Sequence, residues 1–281
     1  MIYQVLPSIA KYDAISQHAL RIDAELKKRN IETQLVADHI GLEFVDMVKK
    51  PLEIDSFDNS QILYHLSISN HIADRVFNSN ADVDVWYHNI TPANFFEDWE
   101  PFVSLELRIA RYQLSQIAIR SRRGVAASIY SENELKENGC IDTVVMPVLF
   151  DAKTKVAMTS TVDRARRNAS TAILSVGRFA PHKRIEKLIE MFSIYLEKVD
   201  HRAQLHLVGS SASRWYQDSL YQLINELKIK NSIIFHDQIT DAELSSLYAR
   251  ADVYLCMSAH EGFCVPIVEA MHNHLPIVSS N

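Results

Sequence analysis

Glycine is scarce in this chain, at six of 281 residues. It has neither a Gly-x-Gly-x-x-Gly phosphate loop nor a Walker loop, which removes the main support for a dinucleotide-binding or P-loop protein. Cysteine is scarcer still. Cys140, Cys256 and Cys264 form no Cys-x-x-Cys pair, and an odd, scattered set reads as reduced core or loop thiols rather than a disulfide framework. His272 and His274, with Cys256, His260 and Cys264, fall at spacings that match no ordinary zinc pattern, so no metal and no cofactor are expected. Positive charge is in deficit as well. A net charge of -6 argues against a broad basic surface that neutralises nucleic-acid phosphates, and no nucleic-acid partner is expected. No apolar run approaches the roughly eighteen residues that span a bilayer. The opening Met1-Ile2-Tyr3-Gln4-Val5-Leu6-Pro7 lacks the basic start and long apolar centre of a signal peptide, so a cytoplasmic location is the expectation.

What remains is the composition of an ordinary globular protein, 47% hydrophobic and 23% charged, with length enough for two domains. From residue 171 onward, short β-rich runs alternate with longer helical ones, the rhythm of βα units on a parallel sheet. Strands are predicted at 171–176, 205–208, 233–235, 253–257 and 275–278. Helices follow the first four. The helix after 184 carries Ile185, Leu188, Ile189, Phe192, Leu196 and Val199 at helical spacing, the next covers 216–227, and Thr240 with Glu243 forms a capping box for one ending near 249. The first half follows the same logic with poorer punctuation, with strands at 2–6, 31–36, 62–66 and 83–87 and helices at 16–29 and 102–120. The polar stretch 152–170 is the linker candidate, giving domains at 1–165 and 166–281.

Two carboxylates stand out. Glu261 and Glu269 lie eight positions apart across a loop that opens a helix near Pro266. The first N–H groups of a helix lack intrahelical partners and its dipole favours negative charge in front of them, so such a loop suits an anion. Glutamates on either side would bracket a phosphorylated sugar. Gly177, Gly209 and Gly262 each follow an apolar run or open a turn, which makes three of the six glycines markers of candidate ligand loops.

The order strand, Gly177-Arg178, Lys183, helix and then Glu261-Gly262-Phe263-Cys264-Val265-Pro266-Ile267-Val268-Glu269-Ala270 resembles the retaining glycosyltransferases of family 4. The first half resembles them more weakly, through Tyr87-His88-Asn89-Ile90-Thr91-Pro92 and the Tyr64-His65 strand end. The resemblance implies an α/β protein of the GT-B type, two Rossmann-like doubly wound domains facing a cleft. The first is on the acceptor side, and the second binds the nucleotide-sugar donor. Because the chain stops at Asn281, twelve residues after Glu269, the second domain is expected to be incomplete.

The same resemblance implies a site. Arg178 and Lys183 would hold the donor diphosphate and offset the charge it gains as the glycosidic bond breaks. Glu269 would accept the ribose hydroxyls, Glu261 would lie near the transferred sugar, and Gly262, Phe263, Cys264 and Gly209 would line the donor. Cys264 stands where many relatives have glycine. His88 would sit by the sugar's primary hydroxyl, with Asp13, His65 and Asn89 on the acceptor side. Catalytic roles fall to Glu261, His88, Arg178 and Lys183. The expected reaction moves a hexose from a nucleoside-diphosphate sugar to a glycan or lipid-linked acceptor in polysaccharide or lipopolysaccharide synthesis. The alternatives are a catalytically impaired nucleotide-sugar binding or assembly subunit, and an epimerase or phosphorylase of the same architecture. The basic run from Arg108 and Arg111 to Arg120, Arg122 and Arg123 suggests peripheral contact with the inner membrane surface.

Overall fold

The computed structural model describes residues 1–11, 13–149, 170–211 and 213–280. Two compact units emerge, Met1–Glu97 with Pro101–Phe150, and Asp98–Glu100 with Asp151–Asn281. The boundary expected at 165 lies outside the described residues.

In the first unit, strands β1 (Ile2–Ile9), β2 (Thr33–Ile40), β3 (Val48–Lys49), β4 (Gln61–Leu66), β5 (Asp82–Tyr87), β6 (Arg123–Ala126) and β7 (Thr143–Val145) form one sheet in the order β3-β2-β1-β4-β5-β6-β7. Every pairing is parallel. Helices α1 (Ala14–Lys28), α2 (Ala73–Phe77), α3 (Pro101–Arg120) and α4 (Ile129–Glu137) connect the strands. Val5 and Leu6 are fully buried in β1, as a strand covered on both faces requires. The strand order reverses between β1 and β4, the kind of crevice where open α/β sheets bind ligands.

The second unit repeats the plan. Strands β8 (Ala172–Val176), β9 (Gln204–Val208), β10 (Ile233–His236), β11 (Val253–Cys256) and β12 (Ile277–Ser279) are parallel in the order β10-β9-β8-β11-β12. Between them run α5 (Ile185–Lys198), α6 (Arg214–Glu226), α7 (Asp241–Arg250) and α8 (Val265–His272). Neighbouring residues of β8 feed opposite cores. Ile173 packs with Leu188, Phe192 and Leu220 of α5 and α6, whereas Leu174 packs with Tyr248 and Ala270 of α7 and α8. The period-two alternation of a strand thus covers the sheet on both faces, and both units are Rossmann-like and doubly wound.

Three details depart from the expectations drawn from sequence. Elements β3, α2, β6, α4 and β7 lie in stretches where none is predicted. Val199 continues the apolar spacing of α5 but is the residue after the helix, at φ -123°, and is 69% exposed. Ile31, expected to start a strand, lies before β2 and is also exposed.

Candidate functional site

In the second unit the carboxyl ends of β8 and β11 open into a pocket lined in part by Gly177, Arg178, Lys183, Ser258, Glu261 and Cys264. After β8 the chain passes Gly177 at φ +147°, a conformation glycine adopts without strain. Gly177 N–H donates to Val208 O at 2.9 Å. A short turn, Pro181–Lys183, then leads through Arg184, left-handed at φ 50°, into α5. This turn brings Lys183 back over the strand ends. Its Nζ lies 2.5 Å from Glu261 Oε1, both side chains being largely buried. Ala259 N–H donates to His182 O at 2.8 Å and ties the two loops together. Arg178 is exposed and makes no ion pair or hydrogen bond with the described residues. His182 is pushed down to about 3, first by burial and then by Lys183, Arg178 and His260, so the loop's charge comes from its lysine and arginine.

Glu261 leads through Gly262 and Phe263 to Cys264, which precedes α8 in the left-handed conformation, φ 65° and ψ 68°. Pro266 lies in the first turn of the helix, where a missing N–H loses nothing. On α8, Glu269 Oε2 accepts a 2.7 Å hydrogen bond from Tyr248 OH of α7. Tyr248 is held strongly in its protonated form by burial and by this carboxylate, so it donates. The sulfurs of Cys256 and Cys264 lie within 4.8 Å of each other, and Cys256 Sγ donates to Ser258 Oγ at 3.4 Å; the proximity of the two thiols is the first cause that draws Cys256 down and pushes Cys264 up.

The first unit gathers three histidines at its strand ends. His65 Nδ1 lies 3.0 Å from His88 Nε2, and His65 Nε2 lies 3.2 Å from Gln4 Oε1. With neutral rings, and with the Gln4 amide oxygen placed toward His65, these contacts assign a direction. His88 Nε2–H donates to His65, whose Nε2–H donates to Gln4, leaving His88 Nδ1 an acceptor. His18 of α1 completes the group, its ring centroid 5.6 Å from that of His88 and 4.3 Å from that of Trp86. Its Nδ1 accepts from Leu149 N–H at 3.0 Å. Burial, the first cause in each case, keeps all three neutral: His18 titrates near 4, His88 near 3, and His65 well below its ordinary value.

Residues 162–281 match the family of glycosyl transferases group 1. The chain is 29% identical over 168 residues, 60% of its length and 41% of the relative's, to the GDP-mannose:cellobiosyl-diphosphopolyprenol alpha-mannosyltransferase of Komagataeibacter xylinus. It is 32% identical over 108 residues, 38% of itself and 28% of the relative, to O-antigen chain mannosyltransferase B of Escherichia coli. The chain thus spans less than half the length of these curated relatives. Among solved structures it is similar to WaaG, a glycosyltransferase involved in lipopolysaccharide biosynthesis, with TM-score 0.73 and 12% identity over 99% of this chain and 80% of that one. Anabaena HepE, in complex with UDP-glucose, gives TM-score 0.71 and 18% identity over 99% and 79%. The likeness to these structures is one of fold, and the fold is GT-B.

Within the matched stretch, the expected residues Arg178, Lys183, Glu261 and Cys264 line one pocket. Gly262 and Phe263 are half-buried in the same loop, and Glu269 stands on the helix behind it. Gly209 serves the backbone, since at its φ of +138° a Cβ would lie 2.2 Å from Gly177 O. Of the first-unit residues, His65 and His88 are paired as described. Asp13 caps α1, its Oδ2 accepting from Ser16 N–H at 2.8 Å and Ser16 Oγ at 2.7 Å. Asn89 is left-handed at φ 78° and donates to Ser131 Oγ at 3.2 Å. Sequence reasoning missed Tyr248, Cys256 and His18. A tyrosine or histidine on a helix carries no mark of the partner it meets across the fold. Cys256 reads as a lone thiol in the sequence because seven residues separate it from Cys264.

Proposed function

We propose a retaining glycosyltransferase that moves a hexose, mannose first among the candidates, from a nucleoside-diphosphate sugar to a glycan or lipid-linked acceptor in cell-surface polysaccharide synthesis. The observation that carries this reading is the Lys183–Glu261 pair beside the exposed Arg178 at the ends of β8 and β11. An ammonium has three donors, and Glu261 occupies one. The others, with Arg178's planar fork, suit the oxygens of a diphosphate leaving group, whose charge grows in the transition state. Tyr248 holds Glu269 in place, and that carboxylate has acceptor capacity for ribose hydroxyls. The mannosyltransferase names of the matched relatives support mannose and a transferase over an epimerase or phosphorylase. Retention follows the resemblance to family 4, in which the departing diphosphate helps deprotonate the acceptor on the same face. His88 Nδ1, left an acceptor by its bond to His65, suits a sugar hydroxyl.

The acceptor of the Komagataeibacter relative is, by its name, carried on a diphosphopolyprenol, and a second feature supports a membrane-borne acceptor here. Phe102, Leu105, Ile109, Tyr112 and Ile119 of α3 are exposed and recur at three- and four-residue steps or their sum, so they form one apolar stripe. The arginines of this region are engaged elsewhere. Arg108 pairs with Glu97, Arg111 with Glu134, Arg122 with Asp84 and Arg123 with Asp142, while Arg120 donates to Ser79 O and Ala81 O. The contact with a bilayer surface is therefore proposed to be apolar, not basic. No helix among the described residues is long and apolar enough to cross a membrane.

Thermal unfolding with a panel of guanosine, uridine, adenosine and thymidine diphosphate sugars tests the donor site. GDP-mannose, or another member of the panel, should raise the Tm, and Arg178→Ala or Glu269→Ala should weaken binding about tenfold or more. Stabilisation unchanged in both variants, or absent across the panel, overturns the assignment.

A further inference from the structure

Donor chemistry gives Glu261 a role but does not account for the two thiols gathered beside it in the second unit. The sulfurs of Cys256 and Cys264 and a carboxylate oxygen of Glu261 all lie within 4.8 Å of one another. Cys256 ends β11 and is buried; Glu261 and Cys264, on the loop that returns from it, are half-buried and line the same pocket. The placement of Cys264 is informative. Its left-handed backbone is one that glycine adopts freely and other L-residues adopt at a cost of roughly 1–2 kcal/mol. A side chain here is therefore tolerated against local preference, and it puts a second thiol beside the first.

Two sulfurs and a carboxylate are the donor set of a tetrahedral site for a borderline-soft cation. Zinc–sulfur bonds of about 2.3 Å set ligand atoms about 3.8 Å apart, so these side chains need close by only about an ångström. We propose that Cys256, Glu261 and Cys264 bind a thiophilic divalent cation of the zinc class, with the fourth position open to water. Binding releases the two thiol protons and involves no change of oxidation state. Two thiolates, one carboxylate and a divalent cation leave the site with one net negative charge. Lys183, 2.5 Å from Glu261, offsets it. The metal site shares Glu261, Cys264 and Lys183 with the proposed donor pocket, but its occupancy is measured without any sugar nucleotide, so failure of one reading is distinguishable from failure of the other.

The test uses the full chain, kept reduced with a phosphine, and Co2+ as the spectroscopic probe. Expected are a near-ultraviolet thiolate-to-cobalt charge-transfer band and the visible bands of tetrahedral cobalt, both displaced by Zn2+. Cys264→Gly suits the left-handed backbone, so it should fold normally and lose the charge-transfer intensity, with affinity at least tenfold weaker. Glu261→Gln should weaken binding roughly tenfold while the thiolate band survives at saturation. Cys140→Ser, in the other unit, should change nothing. Absence of the band in the parent chain, its persistence in Cys264→Gly, or its loss in Cys140→Ser would overturn the site.

Discussion

Residues at the ends of β8 and β11 owe their position to backbone that most side chains avoid. Gly177 and Gly209 are the clearest pair, because one needs its glycine for conformation alone and the other for space as well. Nothing lies within 4 Å of a Cβ built on Gly177, whereas one built on Gly209 would meet the Gly177 carbonyl. The carbonyl belongs to the strand end that carries Arg178, so the close approach helps set the pocket wall. Gly209→Ala is expected to cost roughly 3 kcal/mol and Gly177→Ala about 1–2 kcal/mol, chiefly strain. Urea titrations of the two variants check this, and an equal or reversed ranking would contradict it. At this scale the gathering of Arg178, Lys183 and Glu261 at one pocket was legible because their order along the chain resembles a known pattern. Tyr248 and Cys256 were not, since what makes them matter is a partner 21 or eight positions away.

Elements were legible where burial imprints a period. Helix α5 shows its buried Ile185, Leu188, Ile189 and Phe192 at helical spacing, and Thr240 with Glu243 forms the capping box read from the sequence, Thr240 Oγ1 accepting from Glu243 N–H at 3.3 Å. Helix α4 failed for the opposite reason. It buries only Ser131 and Leu135 of its nine residues, too few to make a stripe, and β6 and β7 are only four and three residues long. Helix α3 shows a further limit. Its sequence displays apolar residues on two sides, and only the fold tells that Leu107, Ala110, Leu114 and Ile117 face inward while Phe102, Leu105, Ile109 and Tyr112 face out. Vesicle co-sedimentation tests the outward stripe. Leu105→Glu with Ile109→Glu should lower partitioning about tenfold or more, and because the arginines are engaged, binding of the parent chain should vary little with salt. No binding, or binding abolished by moderate salt, counts against an apolar contact.

For the molecule as a whole, the buried histidines of the first unit couple folding to pH. In the unfolded chain His18 and His88 titrate near 6.5, but in the fold they stay neutral down to about 4 and 3. Between these values the unfolded chain binds more protons. Stability is thus fully present above about pH 6.5 and is lost as pH falls toward the folded values, by at most roughly 1.4 kcal/mol per pH unit for each histidine. Fluorescence of Trp86, stacked on His65 and His88, reports this unit once Trp99 and Trp215 are replaced by Phe. The urea midpoint at pH 5 should lie below that at pH 7; equal midpoints would show that the rings are protonated in the fold.

The sequence by itself determined the alternating βα character of the second unit and of much of the first, since strands buried on two faces and helices buried on one impose their periods on the order of residues. It also determined which charged groups line the ends of β8 and β11, because these follow their strands directly in the chain. Only the tertiary structure decided which of them touch. The Lys183–Glu261 pair, the Tyr248 bond to Glu269 and the chain from His88 through His65 to Gln4 join segments that parallel strands bring side by side, and the meeting of Cys256 with Cys264 depends on how the loop after β11 turns back. Contacts of that kind depend on register and twist, which no local pattern of residues records.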